Sequence, residues 1–148
     1  MACILRFSKN QMEKHMRIAF AAVLVAALTG CAATPGSLKS DPSILRTFDV
    51  DAGYQIVLKR LVDQHRECTG GPLLPIGQVI FDVQNYTELK TATITHGASG
   101  FGTQIHLLTE ITEPAPNKAH VKVWSYFATD RVVARIRKTA EGVEGCGP

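Results

Sequence analysis

Residues 103–127 read Thr-Gln-Ile-His-Leu-Leu-Thr-Glu-Ile-Thr-Glu-Pro-Ala-Pro-Asn-Lys-Ala-His-Val-Lys-Val-Trp-Ser-Tyr-Phe. Two alternating runs flank one break. Thr103–Thr112 places Ile105, Leu107, Thr109 and Ile111 on one face, and Lys118–Phe127 places Ala119, Val121, Val123, Ser125 and Phe127 on one face. A period of two is the signature of a half-buried strand. The break, Glu113-Pro114-Ala115-Pro116-Asn117, is short, so the two strands are expected to run antiparallel.

Upstream the pattern repeats. Gln78–Gln84 sets Val79, Phe81 and Val83 on one face, and the threonine-rich Leu89–Thr95 alternates as well. Asn85-Tyr86-Thr87 and the run Gly97-Ala98-Ser99-Gly100-Phe101-Gly102 separate these stretches. Four strands in succession predict an antiparallel meander, and Leu45–Val50 predicts a fifth, short strand.

Between that strand and the meander the period changes. At 100° per residue Tyr54, Leu58, Leu61, His65 and Cys68 lie within about 80° of one another. Val57 and Val62 flank the stripe, while Lys59, Arg60, Asp63, Arg66 and Glu67 lie opposite. The pattern predicts an amphipathic helix, with Asp51 as N-cap and Gly70-Gly71-Pro72 as terminator.

Residues 131–138 admit two readings. As a strand, Val133 would face outward with Arg135 and Arg137. As a helix, Val132, Val133, Ile136, Ala140 and Val143 share an arc of about 100°, with Asp130 as N-cap and Gly142 as stop. The helix is favoured because it accounts for all five apolar positions. The expected fold is α+β: a four- to five-stranded antiparallel meander, with an N-terminal-side helix and a C-terminal helix packed on one face.

The 148-residue chain has a net charge of +3, but the excess is local. Residues 1–30 hold four of the 16 basic residues and one of the 13 acidic ones, which leaves 12 of each beyond them. A neutral domain carries no electrostatic argument for nucleic acid binding. Hydrophobic content of 45% indicates a chain able to form a core rather than a disordered one.

The leader is specific. Lys14 and Arg17 precede the uncharged run Ile18–Leu28, too short for a spanning helix, which needs roughly 20 residues. It fits the apolar region of a secretory signal. The run ends in Leu28-Thr29-Gly30-Cys31, which resembles the bacterial lipobox. The resemblance implies a signal peptide over 1–30, cleavage by signal peptidase II, and lipid (diacylglycerol, then palmitate-like acyl chains) on Cys31. An ordinary signal peptide, or an uncleaved membrane helix, with an incidental cysteine is the alternative. Met16 is a better start than Met1, so residues 1–15 are read as a misassigned start.

Ala32 follows the anchor; by the same resemblance, the lack of aspartate there implies the outer membrane, facing the periplasm. Residues 31–44 are read as acylated cysteine plus flexible tether, and 45–148 as one domain. At roughly 3.3 Å per residue the tether would reach about 40 Å. The stretch Val50–Arg60, with Cys68 and Cys146, is similar to a group of small, uncharacterised proteobacterial lipoproteins, which brings no activity with it.

An exported chain enters an oxidising compartment, where Cys68 and Cys146 are expected to pair. A bridge across 78 residues stabilises by roughly 4 kcal/mol in the chain-entropy model. The rival is a reactive thiol, but no Cys-x-x-Cys is present.

The histidines give no metal pattern. His65 is read as a core or hydrogen-bonded residue, His96 as the start of a turn, and His106 and His120 as neighbours across the sheet. The glycine run lacks the phosphate-loop ending and is read as a hairpin loop that exposes Phe101. Arg131, Arg135, Arg137 and Lys138 form a basic face, solvated or facing a partner. No catalytic residue, metal or other cofactor is expected.

The expected function is a lipid-anchored, non-enzymatic binding or interaction module for an envelope partner. The alternative is a carrier of a small apolar ligand between sheet and helices. A cavity lined by Val79, Phe81, Ile105, Leu107 and Val121 would favour the carrier. A filled core with an exposed apolar patch would favour the interaction module.

Overall fold

The computed structural model describes residues 34–68, 78–100, 102–127, 129–143 and 145–146. The leader, Cys31, Phe101 and the Gly70-Gly71-Pro72 terminator lie outside them.

Five strands form one antiparallel sheet: β1 (Leu45–Val50), β2 (Gln78–Tyr86), β3 (Thr91–Ser99), β4 (Thr103–Ala115) and β5 (Lys118–Ser125). Their order is β1-β5-β4-β3-β2. Strands β2 to β5 follow one another as a meander, and β1 closes onto β5 with Phe48 opposite Val121. Helices α2 (Tyr54–Cys68) and α3 (Thr129–Glu141) pack on one sheet face and against each other. The C-terminal segment is therefore a helix, as its five-position pattern indicated. Its core contacts are Val133 and Ala140, with Ile136 partly buried, whereas Val143 is 55% exposed beyond its end. Among the described residues no helix is long and apolar enough to cross a membrane.

Residues 34–44, expected to belong to a tether, are ordered instead. Pro35–Lys39 is a short helix, α1, and Pro42–Ile44 is a 3-10 turn. Thr34 and Ser37 form a reciprocal capping box that satisfies donors at the start of α1. Leu38 is completely buried with Ile105, Leu108 and Trp124 on the sheet face opposite α2 and α3. Lys39 adds an ion pair with Glu110 at 2.8 Å and lies over the Trp124 ring. The ordered structure thus starts before Leu45, and α1 covers part of the second sheet face.

Helix caps also differ from expectation. Asp51 precedes α2 by three positions and is not its N-cap. Glu113 of β4 supplies the acceptor: its Oε2 receives the Tyr54 N–H at 3.0 Å. A carboxylate there also complements the positive end of the helix dipole. Asp130 lies inside the first turn of α3, where it pairs with Arg46 at 3.2 Å. Gly142 does end α3. At φ 98° it lets its own N–H reach Thr139 O and the Val143 N–H reach Lys138 O, the doubly bonded stop that favours glycine.

A bulge resolves the alternation of β4. His96 pairs with Leu107 and Gly97 with Ile105, which leaves His106 as the extra residue. Beyond it the pattern reverses face. Leu107 and Ile111 pack toward the helices, while Ile105 packs with Leu38 on the other side. Gly97 belongs to this feature rather than to a loop, since β3 continues to Ser99. A Cβ at Gly97 would sit 2.6 Å from the Gln104 carbonyl oxygen, so only glycine fits there.

Candidate functional site

The helix-side sheet face is unevenly filled. Over β1 and β5, Phe48, Val50, Ala119, Val121 and Val123 are buried beneath α2 and α3. Toward Val79 of β2, the Ile94–Ala98 stretch of β3 and Leu107 and Thr109 of β4, a cavity of about 440 Å³ remains. Ile94, Leu107 and Thr109 form its floor; Leu61, Gln64 and His65 of α2 form one wall, and Val132 and Ile136 of α3 the other. That volume lies within the roughly 300–1,000 Å³ range of small-molecule sites.

The disulfide closes one end. Cys68, the last residue of α2, is bonded to Cys146, with Cα atoms 5.3 Å apart, and both line the cavity. Gln64 Nε2 donates to the Gly145 carbonyl at 3.0 Å, fixing the tail beside the bridge. The buried Thr139 hydroxyl lies between Gln64 Oε1 and the Arg135 carbonyl. Arg60 Nη1 donates to Ala140 O at 2.7 Å, so a cation meets the C-terminal end of α3.

Three imidazoles border the space. His65 stacks on Phe81 with ring centroids 3.7 Å apart, and His96 lies 4.9 Å from His65 and 5.0 Å from Phe81. Burial is the main cause that lowers the His96 imidazole to about 4, with His65 and His106 adding like-charge repulsion. Burial lowers His65 too. Both rings are therefore neutral at pH 7. His96 Nε2 is buried without a hydrogen-bond partner among the described residues. His106, the bulged residue, lines the cavity beside the exposed Phe127 ring, 5.7 Å away.

The histidine expectations need correction. His96 lies within β3 rather than at a turn. His106 and His120 do not meet: Thr112 faces His120, which pairs with Asp49 at 2.6 Å. His65 is half-buried in an aromatic cluster, as its place on the helix stripe suggested. Sequence reasoning missed His96 and the juxtaposition with His106, because the bulge that creates it leaves no local signature beyond Gly97. Among the described residues no three metal-ligating side chains are placed to hold a metal ion together.

The basic face divides. Arg131 and Arg135 border the cavity. Arg137 turns the other way, its guanidinium 5.0 Å from the centre of the Phe48 ring. Lys138 is exposed. The continuous basic surface expected from the sequence is therefore two separate features.

Of the five side chains expected to mark a carrier cavity, Val79 and Leu107 line this one. Phe81 borders it through its stack with His65, Val121 is buried in the filled half, and Ile105 is on the opposite sheet face. Compared with family models, curated proteins and solved structures, the chain matches none.

Proposed function

We propose that this protein is a lipid-anchored envelope protein whose domain binds a small, mainly apolar ligand. The cavity between α2, α3 and the β2–β4 half of the sheet carries the reading. Its volume suits a small molecule, and Ile94, Leu107 and a disulfide line it. Binding rather than catalysis is the proposed role, with the outer membrane, facing the periplasm, as its location. The lipobox-like Leu28-Thr29-Gly30-Cys31 supports the anchor. Cys31 lies three positions before Thr34, so a lipid there would hold the domain near the bilayer instead of at the end of a long tether.

The test is binding of N-phenyl-1-naphthylamine, an uncharged fluorescent probe. The full chain should bind it with saturable fluorescence enhancement, and Ile136→Trp, which fills the cavity, should abolish the enhancement. Equal enhancement by both proteins would refute the cavity as the binding site.

A second reading, contact with an envelope protein, is favoured by β2. It is an edge strand, with Val79 42% and Val83 36% exposed on the helix side. Unpaired strand edges with apolar neighbours are natural docking positions. Val83→Lys should weaken such a contact and leave probe binding intact.

A further inference from the structure

The cavity is charged in one sense only. Arg131 and Arg135 stand at i and i+4 on α3, where side chains are neighbours, and both border the space. Neither has an ion-pair partner among the described residues. Asp130, the acidic residue of that first turn, is paired with Arg46. No described lining residue is Asp or Glu.

This arrangement is unfavourable for the helix on its own. Like charges at i and i+4 repel, and Arg131 stands in the first turn, where the helix dipole disfavours a cation. The same dipole, added to two guanidinium groups, makes that side of the cavity attractive to an anion. The sheet floor below them presents Ile94 and Leu107, and Ile136 of the same helix adds a third apolar surface, which together suit only an apolar body. His96 Nε2 leaves one further polar position open on the wall.

We propose that the ligand is an amphiphile with an oxyanion head, a carboxylate or phosphate, gripped by Arg131 and Arg135, while its apolar body lies on Ile94, Leu107 and Ile136. The guanidinium fork matches either oxyanion. This inference rests on the binding reading above and adds the chemistry of the head.

Calorimetric titration of the full chain with four ten-carbon probes tests it: decanoate, decyl phosphate, decanol and decyltrimethylammonium. At least one oxyanion probe should bind tenfold or more tighter than decanol, and the cationic probe most weakly. Arg131→Gln/Arg135→Gln should bring the oxyanion probes to the affinity of decanol and leave decanol unchanged. Both arginines are exposed, so the variant keeps its core. Equal binding of all four probes, unaltered in the variant, would overturn the oxyanion head and leave the cavity standing. Failure of every probe, decanol included, would overturn both.

Discussion

The two halves of the helix-side sheet face use the same helices to opposite ends. Over β1 and β5 the contact is solid: Val57, Ile111, Val121 and Val123 are completely buried. Toward β2 the same helices leave a space bordered by imidazoles, guanidinium groups and a disulfide. The filled half makes ordinary dispersion and burial contacts, about 25 cal/mol per Å² of apolar surface removed from water. The hollow half forgoes part of that stabilisation, and the bridge there offsets the loss through the unfolded chain. The contrast separates what folds the domain from the region proposed to bind.

The largest effect should come from charging the filled half. Val133→Asp, at a buried position of α3, should cost about 4 kcal/mol or more, because the carboxylate has no partner. Ala134→Asp, on the exposed side, should cost under about 0.5 kcal/mol in the same denaturant melts. A larger loss at Ala134 would invert the assigned faces of α3.

Removing the bridge comes next. Cys68→Ser/Cys146→Ser should lower stability by about 4 kcal/mol, the entropy expected for so long a loop. Because both sulfurs border the cavity, the variant should also bind N-phenyl-1-naphthylamine more weakly, while a loss of stability without loss of binding would detach the bridge from the site.

Acid should weaken the hollow half in particular. The His96 pKa is depressed to about 4 when folded, against 6.5 when unfolded. The unfolded chain then takes up the proton first, so stability is full above pH 6.5 and falls as pH drops toward 4. Between pH 7 and pH 5 this single group should remove about 2 kcal/mol. His96→Phe should flatten that part of the profile. An unchanged slope would show that other groups carry it.

The smallest contrast is one methylene. Ile111→Val, in the filled half, should cost about 1 kcal/mol, and Ile94→Val, on the cavity floor, about half that. Equal losses would mean that the floor is as tightly packed as the filled half.

The sequence carried much of this fold and little of the site, for a physical reason. Periods of two and 3.6 are local, so the strands, α2, α3 and the stop at Gly142 were legible. The Cys68–Cys146 pair followed from elimination once the lipobox-like leader had raised the expectation of export. What failed was long-range. Glu113 caps α2 from 59 residues away, displacing the nearby Asp51. Leu38 looked like part of a small-residue tether, yet one leucine, one lysine and a capping box suffice to dock that segment. The His106 bulge reversed Ile105, which no alternation rule anticipates. The cavity is a mismatch between helices and sheet, visible only once both are placed.

One measurement addresses the contrast directly: methyl resonances of Ile, Leu and Val followed during titration of the full chain with decanol. Ile94, Leu107 and Ile136 should shift progressively and saturate, while Val57, Val121 and Val123 stay in place. Shifts spread evenly across both groups, or none in the first, would contradict a binding cavity confined to the hollow half.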